Sequence, residues 1–451
     1  MWDKHFKGKK VTLMGLGLLG RGVGDARFLA RHGAELIITD LKTREQLAAS
    51  LDVLKEFPNI TYRLGEHVLE DFRGRDMVIK GAGVPIDSPF IAEAHAHSVP
   101  VEMSTSLFAR LLGEYKKSVG KDGERYLVGV TGSKGKTTTT HLIFEMLQRG
   151  RPDARVRMGG NIQGVSTLEY LDDLKPEDIF VLELDSWQLQ GFGESKMSPQ
   201  VGVFVNFFSD HLNYYKGDMD RYFTDKMHIF AHQHEGEPCF VGPTVMPWAT
   251  THAPEQATRL IVPAIEHHTD ASRSLQGAHN DENIALASSA AREFGVSEDA
   301  IASVIHDFEG VPGRLQFAGE KEGVSYYNDT TATVPDAVLA AIRALGAERR
   351  IVLIMGGADK QIDATPLVEE LSKYCKALVL FKGTGTDTIR NRIIDSDFEP
   401  VSEASSMHEA VTQARSVAVA GDIILMSPGF ASFGMFTNEY DRGDQFMREI
   451  Q

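Results

Sequence analysis

The chain predicts an α/β architecture divided among three domains. Short apolar runs alternate with stretches of helical period along most of its length. Glycine-rich turns follow an apolar run at Gly15–Gly20 and again at Gly132–Thr137. At 451 residues the chain is also too long for one hydrophobic core, and about three domains are expected. The divisions fall at 1–101, 102–313 and 314–451. Glu102 to Gly123, polar and lysine-bearing, reads as one junction, and Phe308 to Arg314, with Gly310, Pro312 and Gly313, as a hinge.

The first domain opens with a strand, Lys10 to Met14, followed by Gly15-Leu16-Gly17-Leu18-Leu19-Gly20, a helix with Ala26, Leu29 and Ala30 on one side, and a strand from Glu35 to Thr39 that ends at Asp40. This is a βαβ unit with a G-x-G-x-x-G turn and an acid twenty residues beyond its last glycine. Such a turn suits NAD or FAD, or equally another nucleotide diphosphate. Gly81-Ala82-Gly83-Val84-Pro85 follows a further short apolar run, where a phosphate loop and a plain turn fit alike.

In the second domain Tyr126, Leu127, Val128 and Val130 suit a buried strand, and Leu142, Ile143, Met146 and Leu147 recur at helical spacing. Between them Gly132-Ser133-Lys134-Gly135-Lys136-Thr137-Thr138 reads as a triphosphate loop. Backbone N–H groups at a helix N-terminus point at the anion, Lys136 neutralises β/γ charge, and the Thr137 hydroxyl reaches Mg2+. Gly129 stands one residue too early for G-x-x-x-x-G-K-[ST]. Met158 to Ile162 is a tight turn, and Ile179 to Leu184 is an apolar strand carrying one acid, Glu183, where a Mg2+ ligand belongs. The strand Val201 to Val205 leads to Asn206 and to Asp210-His211, and a helical stretch then carries Lys226. Asn280 and Asn283, three apart before an alanine-rich helix, face the same way if both are helical.

The third domain alternates strand Val324–Asp329, helix Pro335–Leu345, strand Arg350–Met355, helix Pro366–Tyr374, strand Ala377–Phe381 and strand Asp422–Met426, which makes a second doubly wound sheet. Composition sets the setting. The excess of 63 acidic over 47 basic residues, a formal charge of −16, opposes nucleic acid as a partner. No apolar run suits membrane insertion, the N-terminus lacks a signal-peptide layout, and two distant cysteines give no disulfide framework, so a reducing cytoplasm is expected.

Together the motifs resemble those of the Mur ligase family, in family order: Gly15 to Gly20, Thr131 to Thr138, Gly159-Gly160-Asn161-Ile162, Glu183 to Leu189, Asn206 with Asp210-His211, Lys226, His279-Asn280 with Asn283, Pro312-Gly313-Arg314, Asn328-Asp329, Gly356-Gly357 with Lys360, and Ser427-Pro428 with Ser432. Within the family the chain looks like the type that adds glutamate to UDP-N-acetylmuramoyl-L-alanine in peptidoglycan synthesis. The resemblance implies a Rossmann-like UDP-binding domain, a central P-loop ATPase-type domain and a C-terminal Rossmann-like domain that takes the amino acid, working as a monomer with small-molecule substrates. It also implies ATP and two Mg2+ ions as cofactors, with Lys136, His211 and Lys226 catalytic. ATP would lie on Gly132 to Thr138, Asn280, Asn283, Arg314 and Asp329, and metal on Thr137, Glu183, His211 and a carbamylated Lys226. The UDP-sugar would meet Gly15, Leu16, Gly17, Leu18, Leu19, Asp40, Gly83, Asn161, Ser186 and Gln188. Glutamate would meet Thr333, Lys360, Ser432 and Phe433. Two positions depart from the family pattern: Thr331 replaces a lysine, and Glu439 stands after Asn438 where an aromatic residue is usual. Both fall where the amino acid is received, so L-glutamate stands beside D-glutamate as acceptor. A nicotinamide-dependent oxidoreductase built on the first glycine turn is the reading from another class. It leaves the triphosphate loop, Glu183 and Lys226 without a role.

Overall fold

A computed structural model gives the fold. It describes every residue except 18–19, 86, 163–165, 211, 267–274, 276–277, 347–348, 360–362, 396–397, 400 and 433, and describes 212, 213, 278 and 394 by their backbone alone. The chain forms two compact units, Met1–Phe308 and Glu309–Gln451, and the division between them lies inside the hinge expected at Phe308 to Arg314. The first unit contains two parallel sheets. β1 (Lys10–Met14), β2 (Glu35–Asp40), β3 (Ile60–Leu64), β4 (Met77–Lys80) and β5 (Val101–Glu102) stand in the order β3-β2-β1-β4-β5. β6 (Leu127–Thr131), β7 (Arg155–Gly160), β8 (Asp178–Glu183), β9 (Val201–Phe204), β10 (Cys239–Val241) and β11 (Leu260–Ile261) stand in the order β11-β10-β9-β6-β8-β7. In each sheet the first strand is internal and the chain fills one side before crossing to the other; in the second sheet it goes first to the edge strand β7 and returns through β8 beside β6. That reversal opens a crevice at the carboxyl ends of β1 and β6, where a parallel sheet takes its ligands.

Residues 102–123, read as a junction, run from the last strand of the first sheet toward the first strand of the second, but they are packed helix and not open linker. They contain the helix Ser104–Ser118, whose Leu107, Phe108, Leu111 and Leu112 are fully buried in a core that also holds Phe28, Ile38 and Phe180. The lysines that suggested a junction lie near its end, and one of them, Lys116, is itself buried, its ammonium donating to the carbonyls of Pro176 and Asp178 at 2.7 Å each. The helix Arg21–Arg31 supplies further contact with the central sheet's connections. Arg21 Nη1 donates to Asn161 Oδ1 at 3.1 Å, Ser166 Oγ donates to Asp25 Oδ1 at 2.6 Å, and Arg27 pairs with Glu169 at 2.6 Å. A Cβ on Gly24 would collide with Ser166, so glycine is required for this approach.

Burial pushes the Asp25 carboxyl up from 3.8 to about 6. The folded chain therefore keeps this proton where the unfolded chain has released it, and stability falls as pH rises from about 4 to about 6, by on the order of 3 kcal/mol. Asp25→Asn should flatten that part of the profile. The three tryptophans, Trp2, Trp187 and Trp248, all lie in the first unit, so urea midpoints followed by their fluorescence at pH 4.5 and 8 report it. An unchanged slope in the variant would remove Asp25 from the account.

The second unit has one six-stranded sheet in the order β12-β13-β17-β14-β15-β16, made of β12 (Gln316–Lys321), β13 (Val324–Asn328), β14 (Ile351–Gly356), β15 (Cys375–Phe381), β16 (Val401–Ala404) and β17 (Ile423–Met426). The helices Pro335–Leu345 and Thr365–Tyr374 fall where the alternation predicts them. β12 is an addition. It pairs antiparallel with β13 across a two-residue turn, Glu322-Gly323, in which both residues have positive φ (55° and 76°). Such turns are announced by Asn-Gly or Asp-Gly, and Glu-Gly gives no such signal. Both cysteines are buried and free. Among the described residues no helix is long and apolar enough to cross a membrane.

Candidate active site

β6 ends at Thr131 and the helix begins at Lys136 (Lys136–Gly150), so the four residues between, Gly132 to Gly135, form the turn. Gly132 has φ 154° and Gly135 φ 78°, and a Cβ on Gly135 would lie 2.6 Å from Asn283 Oδ1. Glycine is needed at both places. Gly129 serves packing instead. It sits within β6 and gives room to Pro199 and Ile229, which accounts for its departure from the common loop spacing.

The neighbouring loops hold this turn in shape. Asn206, after β9, accepts the Ser133 N–H on its carbonyl at 3.0 Å and the Lys134 N–H on Oδ1 at 2.9 Å. Ser133 Oγ donates to the Phe208 carbonyl and accepts the Phe208 N–H, each at 2.9 Å. Lys134 is exposed and pairs with Asp210 at 3.5 Å. Lys136 Nζ folds back over the loop to the carbonyls of Gly132 and Ser133 at 3.1 and 3.2 Å. Thr137 and Thr138 are half-buried in the first helical turn. Asn283 accepts from Thr139 Oγ1 at 3.3 Å and donates through Nδ2 to Asn280 Oδ1 at 3.1 Å, so the asparagine pair does share one face, turned toward the loop.

Two buried ionisable groups lie beside the loop. Glu183, 3% exposed, ends β8 in register with Val130 of β6 and Gly160 of β7. Its Oε1 accepts from Asn161 Nδ2 at 3.4 Å, and its carbonyl accepts the Asn161 N–H at 2.7 Å. Lys226, 1% exposed, donates to Thr131 Oγ1 at 3.2 Å and to the Gly132 carbonyl at 2.9 Å. Burial, and then the neighbouring charge of Lys136, hold its amine well below the usual lysine range, against the opposing pull of Asp185, Asp210 and Glu183. His211 lies outside the described residues, and among those described no three His, Cys, Asp or Glu side chains are arranged as a metal site. The buried Glu183 carboxylate and the Thr137 hydroxyl are oxygen donors of the kind a divalent ion shares with a bound nucleotide.

In the first sheet the glycine turn meets the loop after β4, with the Gly81 N–H bonded to the Met14 carbonyl at 2.8 Å. Asp40 is buried below the turn: Oδ2 accepts the N–H groups of Leu16 and Gly17 at 2.9 and 3.0 Å, and Oδ1 that of Lys42 at 2.9 Å. Those donors are thus already engaged. Gly15 and Gly17 have positive φ, Gly83 is exposed, and Leu18 and Leu19 lie outside the described residues. Ser186 and Gln188 are buried at the start of the helix Ser186–Glu194, where Gln188 and Asp185 cap it reciprocally at 2.8 and 3.1 Å.

In the second unit Asp329 is buried, accepting from the Leu315 N–H at 2.9 Å and from Ser427 Oγ at 2.7 Å, and burial raises its carboxyl to about 6. Arg314 is exposed, Thr333 half-buried and Ser432 buried. Lys360 and Phe433 lie outside the described residues. Thr331 turns its hydroxyl to the Gly313 carbonyl at 2.9 Å. Glu439 begins the last helix, Glu439–Ile450, and its carbonyl accepts from Thr330 Oγ1.

One residue here escaped the sequence reading. Arg442 is completely buried. It donates to Thr330 Oγ1 at 3.2 Å, to the Thr330 carbonyl at 2.8 Å and to the Phe430 carbonyl at 3.3 Å, fastening the loop that bears Thr333 to the loop that bears Ser432. Desolvation lowers its guanidinium to about 10. Only its place in an otherwise amphipathic helix could have marked it. Arg442→Met leaves three acceptors without their donor, and backbone amides of Thr330 to Thr333 should exchange about a hundredfold faster, equivalent to about 3 kcal/mol. Unchanged protection of that loop, with β6 as internal reference, would contradict this.

A glycine turn at the switch point of a parallel sheet, with a buried acid and a buried lysine against it, defines a nucleotide-using α/β protein of the phosphate-loop class. The sequence pattern of the Mur ligase middle domain matches residues 130–297, and that of the Mur ligase glutamate ligase domain matches 313–430. The chain is 37% identical over 480 aligned positions to the UDP-N-acetylmuramoylalanine–D-glutamate ligase of Roseiflexus sp. (strain RS-1), covering 98% of each chain. With the protein of that name from Borreliella burgdorferi (strain ATCC 35210) identity is 31% over 464 positions, covering 98% and 97%. Among solved structures, the fold is similar to UDP-N-acetylmuramate-alanine ligase MurC from Thermotoga maritima (TM-score 0.56, 18% identity, 98% and 99% covered) and to MurF ligase from the same organism in complex with ADP (TM-score 0.54, 17% identity, 99% and 96% covered). The chain belongs to the Mur ligase family.

Proposed function

We propose that the chain is an ATP-dependent ligase that forms an amide between glutamate and UDP-N-acetylmuramoyl-L-alanine in peptidoglycan synthesis, as a cytoplasmic monomer. The observation that carries this reading is the meeting of Lys136, Glu183 and Lys226 at one turn. A phosphoryl group has to be brought onto a carboxylate there, and two anions approach only where cations offset them. A carboxylate oxygen of the sugar's alanine takes the γ-phosphoryl group, with ADP leaving. The amino nitrogen of glutamate then attacks the acyl carbon, phosphate departs with that oxygen, and the nitrogen gives up a proton.

Lys136 swings from the Gly132 and Ser133 carbonyls to the β/γ-phosphates. Asn280 and Asn283 hold ATP beside the loop, and Asn161, oriented by Arg21 and Glu183, holds the sugar substrate. Bound Mg2+ on Thr137 and Glu183 would offset charge on the transferring group. Burial favours the uncharged form of the Lys226 amine, the form whose lone pair can take up CO2 as a carbamate, which would turn a cation unsuited to a metal site into an anion suited to one.

The relatives' names give D-glutamate as the amino acid they add, and Thr333 and Ser432 are the described residues set to receive it. L-glutamate is the second reading, favoured by Thr331, whose hydroxyl is committed to Gly313 where a lysine is usual, and by the acid at Glu439. Offering D- and L-glutamate in parallel with ATP, Mg2+ and the UDP-sugar tests it: D-glutamate is expected to release phosphate at least tenfold faster. A preference for the L form would overturn the stereochemical assignment, and release without the UDP-sugar would overturn the ligase reading.

A further inference from the structure

We propose that a buried chain, Lys80–Gln190–Asp225, is a positioning device that sets the glycine loop after β4 against the helix bearing Lys226, and so places the nucleotide-sugar for reaction. This rests on the ligase reading above. Lys80 is the last residue of β4, directly before Gly81-Ala82-Gly83, and Asp225 directly precedes Lys226 in the helix Met219–Met227. Each is 8% exposed. Lys80 Nζ donates to Gln190 Oε1, Gln190 Nε2 donates to Asp225 Oδ2 at 2.7 Å, and Tyr215 OH donates to the same oxygen at 2.8 Å.

The polarity of the chain leaves the amide one orientation. Its oxygen must face the ammonium, which only donates, and its NH2 must face the carboxylate, which only accepts. Burying two charges to join two sheets is costly, and an apolar contact would hold them at least as firmly. What the chain adds is a fixed register between its ends. The same loop is gripped twice more from the segment preceding Lys226: Tyr214 OH donates to the Val84 carbonyl at 3.1 Å, and Lys216 pairs with Asp87 at 2.6 Å. Three contacts on one glycine loop, all from elements flanking Glu183 and Lys226, point to alignment of substrate and not to adhesion alone.

The test compares Lys80→Met, Asp225→Asn, their double variant and Gln190→Glu in the full chain. It uses steady-state kinetics, calorimetric binding of UDP-N-acetylmuramoyl-L-alanine, and unfolding midpoints by tryptophan fluorescence. Each single variant should lower kcat/KM for the nucleotide-sugar ten- to thirtyfold with KM for ATP within twofold of wild type. The double should be no more than threefold worse than the poorer single, because one chain is broken only once. Gln190→Glu keeps a partner for Lys80 but opposes two carboxylates, and so reports on the chain even if Lys80→Met fails to fold. Lowered midpoints with unaltered kinetics and binding, or losses that multiply in the double, would overturn the proposal. If the wild type itself bound no nucleotide-sugar, the ligase reading would fail first; wild-type binding with indifferent variants sinks this inference alone.

Discussion

Lys136→Ala should lower kcat at least a thousandfold while the protein remains folded. Removing one neutral donor aimed at developing charge costs about 3 to 4 kcal/mol in comparable sites, and Lys136 supplies a full charge to the loop that would hold the triphosphate. Its present bonds to the Gly132 and Ser133 carbonyls keep it at the loop, so its loss leaves a gap and not a disordered turn. There is a second consequence. Lys136 is the charge that, after burial, most depresses the Lys226 amine. Without it Lys226 should hold its proton more firmly, and the proposed carbamate should form less readily. If the proposed carbamate forms, turnover of Lys136→Ala should therefore rise with added bicarbonate at pH 7 to 8 by a larger factor than that of the wild type. A variant within tenfold of wild type would remove Lys136 from the mechanism.

Lys226→Ala should lose a similar factor and regain part of it when formate or acetate is supplied. The side chain is 1% exposed and lies between Thr131 and the Gly132 carbonyl, so its truncation leaves a closed space of the size of a small carboxylic acid. Such an acid restores the negative charge that the carbamate would give. An added amine of matching size should not help, since a cation there repels the metal. Rescue by amine in place of acid would show that Lys226 works as a lysine, and rescue by neither would leave its role unsupported.

The parts that sequence revealed are those whose signal is local. Strand, glycine turn and helix are contiguous from Leu127 to Gly150, and the acid that ends β8 can be recognised as such because an isolated charge interrupts an apolar run. The contact that makes Gly129 necessary is not local: its neighbour Pro199 lies seventy residues on, and no motif records it. The lysines of the helix Ser104–Ser118 masked its apolar stripe, since the buried methylene stem and satisfied ammonium of Lys116 are invisible in composition. Arg442 and Thr330 are 112 residues apart, and Lys80 and Gln190 are 110 apart. Buried polar pairs at such separations arise from the fold and carry no spacing of their own. Leu18, Leu19, His211, Lys360 and Phe433, which the resemblance placed at the sites, stay as expectations carried by sequence.

The central claim is that a carboxylate oxygen of the nucleotide-sugar accepts the γ-phosphoryl group before the amide forms. It is tested most directly by supplying UDP-N-acetylmuramoyl-L-alanine labelled with 18O in the alanine carboxylate, together with ATP, Mg2+ and D-glutamate, and weighing the phosphate released. One labelled oxygen is expected in each phosphate formed from doubly labelled substrate. Unlabelled phosphate, released at the rate of amide formation, would contradict it.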